Sequence, residues 1–261
     1  MRTWLARLRP WLALAAVGLI LGVLLPPVGS YARQYAFAET LQFVIFAVAA
    51  PGLLVLGAPW RFLRLSRHHD RSPGVVRRLA PARWPGVSRP AVTLVAFIAV
   101  VIAWRLPVAV NALPGDPALT AAELVSLLAG GSAVWLELAG APPLPPRLSP
   151  PGRAATAAVA MWTIWALAYI MGMSRGTWFA AYRHAAGYGL STAVDQQLAV
   201  AVMWAVPALC FAPVFYAMLI AWLRDSEDPD EELRRVGDTD VLGPGLGGWP
   251  RPPRGWRSSS T

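Results

Sequence analysis

Six stretches of this sequence are too long and too apolar for a water-soluble fold: Pro10–Val28, Tyr35–Ala58, Pro90–Trp104, Leu119–Gly140, Ala154–Met173 and Asp195–Leu223. A helix rises about 1.5 Å per residue, so roughly 20 apolar residues cross the ~30 Å hydrocarbon core of a bilayer. The third stretch reaches that length only if its helix continues through Arg105 and Leu106. All six are apolar on every side rather than along one stripe, as lipid-embedded helices are. Every backbone polar group must be satisfied inside hydrocarbon, which leaves helices as the spanning element for such runs. The expected fold is therefore all-α: a polytopic transmembrane helical bundle of about six spans, occupying residues 1–223.

Charge supports this reading and gives it an orientation. Only 14% of the residues are charged, against about a quarter in a soluble domain. All 23 basic residues are arginine, and the net charge is +9. Because these arginines flank apolar runs, the expected partner is the lipid bilayer and its anionic headgroups, and not nucleic acid. With the N-terminus in the cytoplasm, 19 of the 23 arginines fall on the cytoplasmic side. They are Arg2, Arg7 and Arg9, the eight from Arg61 to Arg89, Arg147, Arg153 and six from Arg224 onward. Only Arg33, Arg105, Arg175 and Arg183 fall outside. Arginine in short loops marks the cytoplasmic face, so both termini are expected there. Trp4, Trp11, Trp60, Trp84, Trp104 and Trp222 stand at span ends, where an amphipathic ring suits the headgroup layer.

Three further segments need reading, and the first two admit two readings each. Arg2–Arg9 followed by Trp11–Leu25 has the outline of a signal peptide, but Pro26–Pro27 follows in place of a small-residue cleavage site. A retained first helix is the reading adopted. The loop Trp60–Arg89 mixes arginine with apolar residues, as either a docking surface or a simple bar to translocation; its His68–His69 pair, set among cations, is a poor metal site. Residues 224–261 open acidic and end in Gly, Pro, Arg and Ser, with too little apolar surface to bury. They are expected to form a disordered cytoplasmic tail.

Little chemistry remains available. Cys210 is the only cysteine, and His68, His69 and His184 are the only histidines. An intramolecular disulfide and a cysteine zinc site are excluded. Neither a nucleophile–base pair nor a phosphate-binding loop is present, so no enzyme is expected. Ionisable groups inside a membrane are costly and become functional candidates by default. These are Glu39, Arg105, Glu123, Glu137 and Asp195, with Gln42, Gln196 and Gln197 as polar companions. Glu39, Arg105, Glu123 and Asp195 each stand at the outer end of a span, forming either a polar intramembrane cluster or separate headgroup contacts. Glu39 and Gln42, three apart, share a helix face, as do Gln196 and Met203. Glu137 stands alone near the inner end of its span, from which it could snorkel to water. Met171, Met173 and Met203 offer soft sulfur for Cu(I), or else fill gaps between helices. Copper is the one cofactor they suggest.

Three stretches resemble a known family. Gln42 through Pro59, with its Ala50-Pro51-Gly52-Leu53-Leu54 run, is similar to the second conserved helix of the CtaG-like cytochrome c oxidase assembly factors. Trp104-Arg105-Leu106-Pro107 resembles that family's Trp-His-x-Pro element. Leu190 to Gln197, followed by Met203-Trp204, resembles its Leu-Ser-Pro-x-x-Asp-Gln-Gln and Met-Trp element. The resemblance covers roughly residues 35–224. It implies a multi-pass protein of the bacterial plasma membrane that helps assemble a haem–copper oxidase, with oxidase subunits as partners and copper delivery as a possible link. Two other classes compete, a small transporter or permease and a structural subunit of a respiratory complex. The departures are specific. Glu39-Thr40-Leu41-Gln42-Phe43 stands where the resemblance implies His-x-x-Gln-His. Arg105 and Leu119 to Glu123 likewise replace expected histidines. Nitrogen ligands are lost and an ion-paired core is expected in their place.

Overall fold

The computed structural model describes residues 2–59, 88–139, 148–182 and 189–226, and these form helices joined by turns, without a strand. Most of the arginine loop, with His68 and His69, and also His184 and the tail from residue 227, lie outside the described residues. In chain order the helices are α1 (Arg2–Leu24), α2 (Val28–Tyr31), α3 (Ala36–Val44), a π-helical turn (Ile45–Ala49) and α4 (Ala50–Gly57). Then come α5 (Arg89–Arg105), α6 (Pro107–Ala112), α7 (Pro117–Ala139), α8 (Pro150–Met173) and α9 (Thr192–Ser226).

Four of these units are long and apolar enough to cross a bilayer: Ala36–Gly57, Pro117–Ala139, Pro150–Met173 and Thr192–Arg224. The pair α5 and α6 qualifies as a fifth only when taken together, across a bend of 54°. The apolar part of α1, Leu8–Leu24, is shorter. The chain is an all-helical, polytopic membrane bundle.

Prolines set the helix starts, because the first turn needs no N–H and a fixed φ suits it. Proline stands in the first two residues of α5, α6, α7 and α8. Pro107 also makes the bend. The residue before a proline avoids the helical region, and Leu106 accordingly takes φ −63°, ψ 139°. Helix α5 must end at Arg105, and the end of a helix leaves carbonyls free. Asp116 then starts α7, its carboxylate accepting the N–H groups of Ala118 (2.9 Å) and Leu119 (3.1 Å).

The second span carries a different irregularity. Pro51 has no N–H to offer the carbonyl one turn back, and the helix answers by widening to a π-turn over Ile45–Ala49. The shift is met from α7. The Trp135 indole N–H donates to the Val48 carbonyl at 2.9 Å, and its ring stacks on Phe211 of α9, centroids 5.4 Å apart. The two backbones approach closely here. A Cβ on Gly131 would lie 2.2 Å from the Ala47 carbonyl oxygen, and one on Gly52 2.8 Å from the Trp135 ring. At the far end of α4, Ala58 closes the helix in the left-handed region, φ 45°. Helix α1 runs along α4, and α5 packs on both α7 and α8.

Helices α5 and α7 are antiparallel and fastened at both ends. Arg105 meets Glu123 at one end, and Arg89 Nε lies 3.5 Å from Glu137 at the other. This corrects the expectation for Glu137. Its side chain is 6% exposed and faces Arg89 instead of snorkelling to water alone.

Candidate functional site

The ends of α1, α5 and α8 and the starts of α3, α7 and α9 meet at one end of the bundle, and the intramembrane charges gather there. Arg105, the last residue of α5, is completely buried. Its two terminal nitrogens grip both oxygens of Glu39 on α3, Nη1 to Oε2 at 3.0 Å and Nη2 to Oε1. Nη2 also donates to Glu123 Oε1 on α7 at 3.1 Å, and Nη1 to the Thr40 hydroxyl at 3.3 Å. The Phe43 ring lies under the guanidinium, its centroid 3.9 Å from Cζ. Arg105 Nε has no partner among the described residues. Glu39 and Glu123 are 5% and 2% exposed. A buried guanidinium is tolerable only when carboxylates and hydrogen bonds replace its water, and a two-point carboxylate grip is the strong form of that replacement.

A second layer holds the cluster shut. The Arg105 carbonyl, freed by the Pro107 bend, accepts the Trp178 indole N–H at 2.9 Å. The Trp178 backbone N–H donates to Gln196 Oε1 at 3.0 Å, and Gln196 Nε2 donates to the Met171 carbonyl at 2.9 Å. Asn111 of α6 binds the same segment twice, its Nδ2 donating to the Trp178 carbonyl (3.0 Å) and its Oδ1 accepting from Ala181 N–H (2.7 Å). These bonds seat Tyr182 in the core. Burial, reinforced by the Glu39 carboxylate, pushes the Tyr182 phenol above its usual range, so it stays neutral.

Asp195 has another task. Its two oxygens accept the N–H groups of Ala36 (2.8 Å) and Phe37 (2.9 Å). An anion at a helix N-terminus meets both unsatisfied donors and the positive end of the dipole. Asp195 thus ties the start of α9 to the start of α3. Gln42 Nε2 donates to the Val23 carbonyl of α1. Gln197, expected among the polar companions, is exposed and takes no part, because its neighbours Asp195 and Gln196 occupy the inward face. The thioethers are likewise divided. Met171 and Met203 are buried in the apolar core, whereas Met173 is 67% exposed.

Sequence reasoning missed Thr40, Phe43, Asn111, Trp178 and Tyr182. Asn111, polar beside the Pro107 corner, carried a signal, and so did Thr40 and Phe43, one and four residues from Glu39 on α3. Trp178 and Tyr182 contact the cluster through folds of the chain that no spacing encodes.

A family model for the cytochrome c oxidase caa3 assembly factor matches residues 2–225, which takes in all of these elements. The chain belongs to the cytochrome c oxidase caa3 assembly factor family. No curated protein and no solved structure matches it significantly. Family membership brings copper into question, and the residues at the caa3-factor site do not suit it. Among the described residues no group of three His, Cys, Asp or Glu side chains is placed to share a metal ion. Both cluster carboxylates already face a guanidinium, and the exposed Met173 is not gathered with Met171 and Met203. Oxygen donors gripped by a cation are the wrong set for soft Cu(I).

Proposed function

We propose that this protein is a non-catalytic assembly factor for a haem–copper cytochrome c oxidase in a bacterial plasma membrane, acting through transient contact with oxidase subunits. The family match across residues 2–225 carries this reading. The Glu39–Arg105–Glu123 cluster supports the form it takes, since ion pairs stand where nitrogen ligands would be needed to handle metal. The cluster's role is to hold three spans at one end of the bundle, and any copper delivery falls to a partner. Deleting the gene should remove the haem a signal of the membranes while leaving transcripts of the oxidase subunits unchanged. An unaltered oxidase spectrum in the deletion strain overturns the proposal. The purified protein should retain neither haem nor Cu(II) after chelation; a stoichiometric Soret band or one retained copper would contradict the metal-free role.

A further inference from the structure

A cleft of about 360 Å³ opens beside the ion cluster, at the end of the bundle where several spans meet the headgroup layer. Its lining includes Glu39, Glu123, Gln42 and Tyr182 from the cluster, with Ser30 and Arg33 from the turn after α1. Apolar walls come from Leu24, Leu113 and Leu124.

Carboxyl groups outnumber cations in the depth of this cleft. Arg105 grips Glu39 at two points and touches Glu123 at one, so two carboxylates share a single buried cation. Asp195 is spent on the start of α3, and Tyr182 is neutral. Glu123, with a single bond to Arg105, is the less firmly held of the two. A third acceptor lies beside it. Gln42, 7% exposed, uses its amide nitrogen on Val23, and its amide oxygen has no partner among the described residues. Arg33 is exposed and forms no ion pair among the described residues. The cleft is therefore acidic and rich in acceptors in its depth, and cationic where Arg33 borders it.

From this polarity we infer that the cleft binds the headgroup of a phospholipid bearing a primary ammonium group. The ammonium supplies three N–H donors and a second cation beside Arg105, for Glu123, Glu39 and the Gln42 amide oxygen. The phosphate, one short linker away, meets Arg33 and the Ser30 hydroxyl. A quaternary ammonium lacks the donors, and an anionic headgroup lacks the cation. The inference is independent of the role in oxidase assembly.

The test uses the full chain, purified and delipidated in detergent, with tryptophan fluorescence reporting its thermal unfolding. Phosphatidylethanolamine, phosphatidylcholine and phosphatidylglycerol with matched acyl chains are added in turn. A ligand that binds only the folded state raises the midpoint, here by about 3 °C for phosphatidylethanolamine and much less for the other two. Soluble phosphoethanolamine should compete if the headgroup alone suffices, which separates headgroup recognition from acyl-chain binding. Glu123→Gln keeps an oxygen for Arg105 but removes the carboxyl that an ammonium would pair with, and should abolish the difference between lipids. Arg33→Gln, at an exposed position that does not threaten folding, should weaken it severalfold. Equal shifts with the ethanolamine and choline lipids overturn the inference, as does an undiminished ethanolamine preference in both variants. A shift given by a lysine-rich peptide, and not by the ethanolamine lipid, assigns the cleft to a protein partner and also overturns it.

Discussion

Arg105 shows how one residue inverts the character of a site. In hydrocarbon an isolated guanidinium is expensive, and two helices converge on it to prevent that state: α3 brings Glu39, Thr40 and the Phe43 ring, and α7 brings Glu123. Replacing Arg105 with leucine leaves two buried carboxylates facing each other without a cation, a loss of about 3–5 kcal/mol. Glu39→Leu should cost a similar amount, since the guanidinium then keeps only a one-point contact. The double variant removes both charges, and its loss should be smaller than the sum of the two single losses. Unfolding in detergent measures the cycle. Strict additivity would show that the side chains act separately. The convergence of Glu39, Arg105 and Glu123 was legible in the sequence, because each ends or begins a span at the same depth. Gln197 was not separable from Gln196 by sequence, since neighbouring residues on a helix point about 100° apart and only packing reveals which one faces inward.

Among the elements, the second span departs furthest from a regular helix, and its tolerance rests on α7. The π-turn before Pro51 depends on Trp135 for the Val48 carbonyl and on Gly131 for room. Gly131→Val forces a Cβ to within 2.2 Å of the Ala47 carbonyl oxygen. Overpacking two backbones has no flexible side chain to absorb it, so the loss should exceed about 3 kcal/mol or abolish folded yield. Trp135→Phe preserves the ring stack on Phe211 but orphans a buried carbonyl, and should cost about 1–3 kcal/mol. A thermal midpoint in Trp135→Phe equal to that of the parent would remove the indole from this account. Ala58 offers the opposite sign. Its left-handed conformation, φ 45°, is one that glycine adopts without a Cβ clash. Ala58→Gly should stabilise by about 1 kcal/mol, seen as a midpoint higher by about 2–4 °C. A lower midpoint would mean that the methyl group's packing outweighs the backbone strain.

At the scale of the whole molecule, two ion pairs fix the sliding of α5 against α7. From Arg89 to Arg105 is a rise of about 24 Å, and from Glu123 to Glu137 about 21 Å, at 1.5 Å per residue. The clasps therefore bracket most of a bilayer's hydrocarbon thickness, with charges kept towards the two headgroup layers. From the 19-to-4 arginine division we propose that the cluster lies at the outer surface. Reporter fusions after Arg67 and at the C-terminus should read cytoplasmic, and one after Gly115 external. An external reading after Arg67 would reverse the membrane orientation of the bundle and put the lipid-headgroup cleft on the cytoplasmic side.

The sequence by itself determined that the chain is a helical membrane bundle, because an apolar run of about 20 residues has few ways to satisfy its backbone outside a helix in lipid. The bend after Arg105 is equally local, since Pro107 acts on its immediate neighbour, and it ends the helix before Leu106, through which the third span needed to continue. The sequence pointed to the positions of the charged cluster, through three residues of matched depth. Which groups those charges touch was decided only by the tertiary structure. Glu137 finds Arg89 across a helix pair, Asp195 reaches the first amides of α3, and Asn111 and Gln196 seize the segment around Trp178. Partners of this kind lie 18 to 159 residues away along the chain. Their meeting depends on helix rotation and register, which arise from the close packing of all the spans together and not from any local pattern.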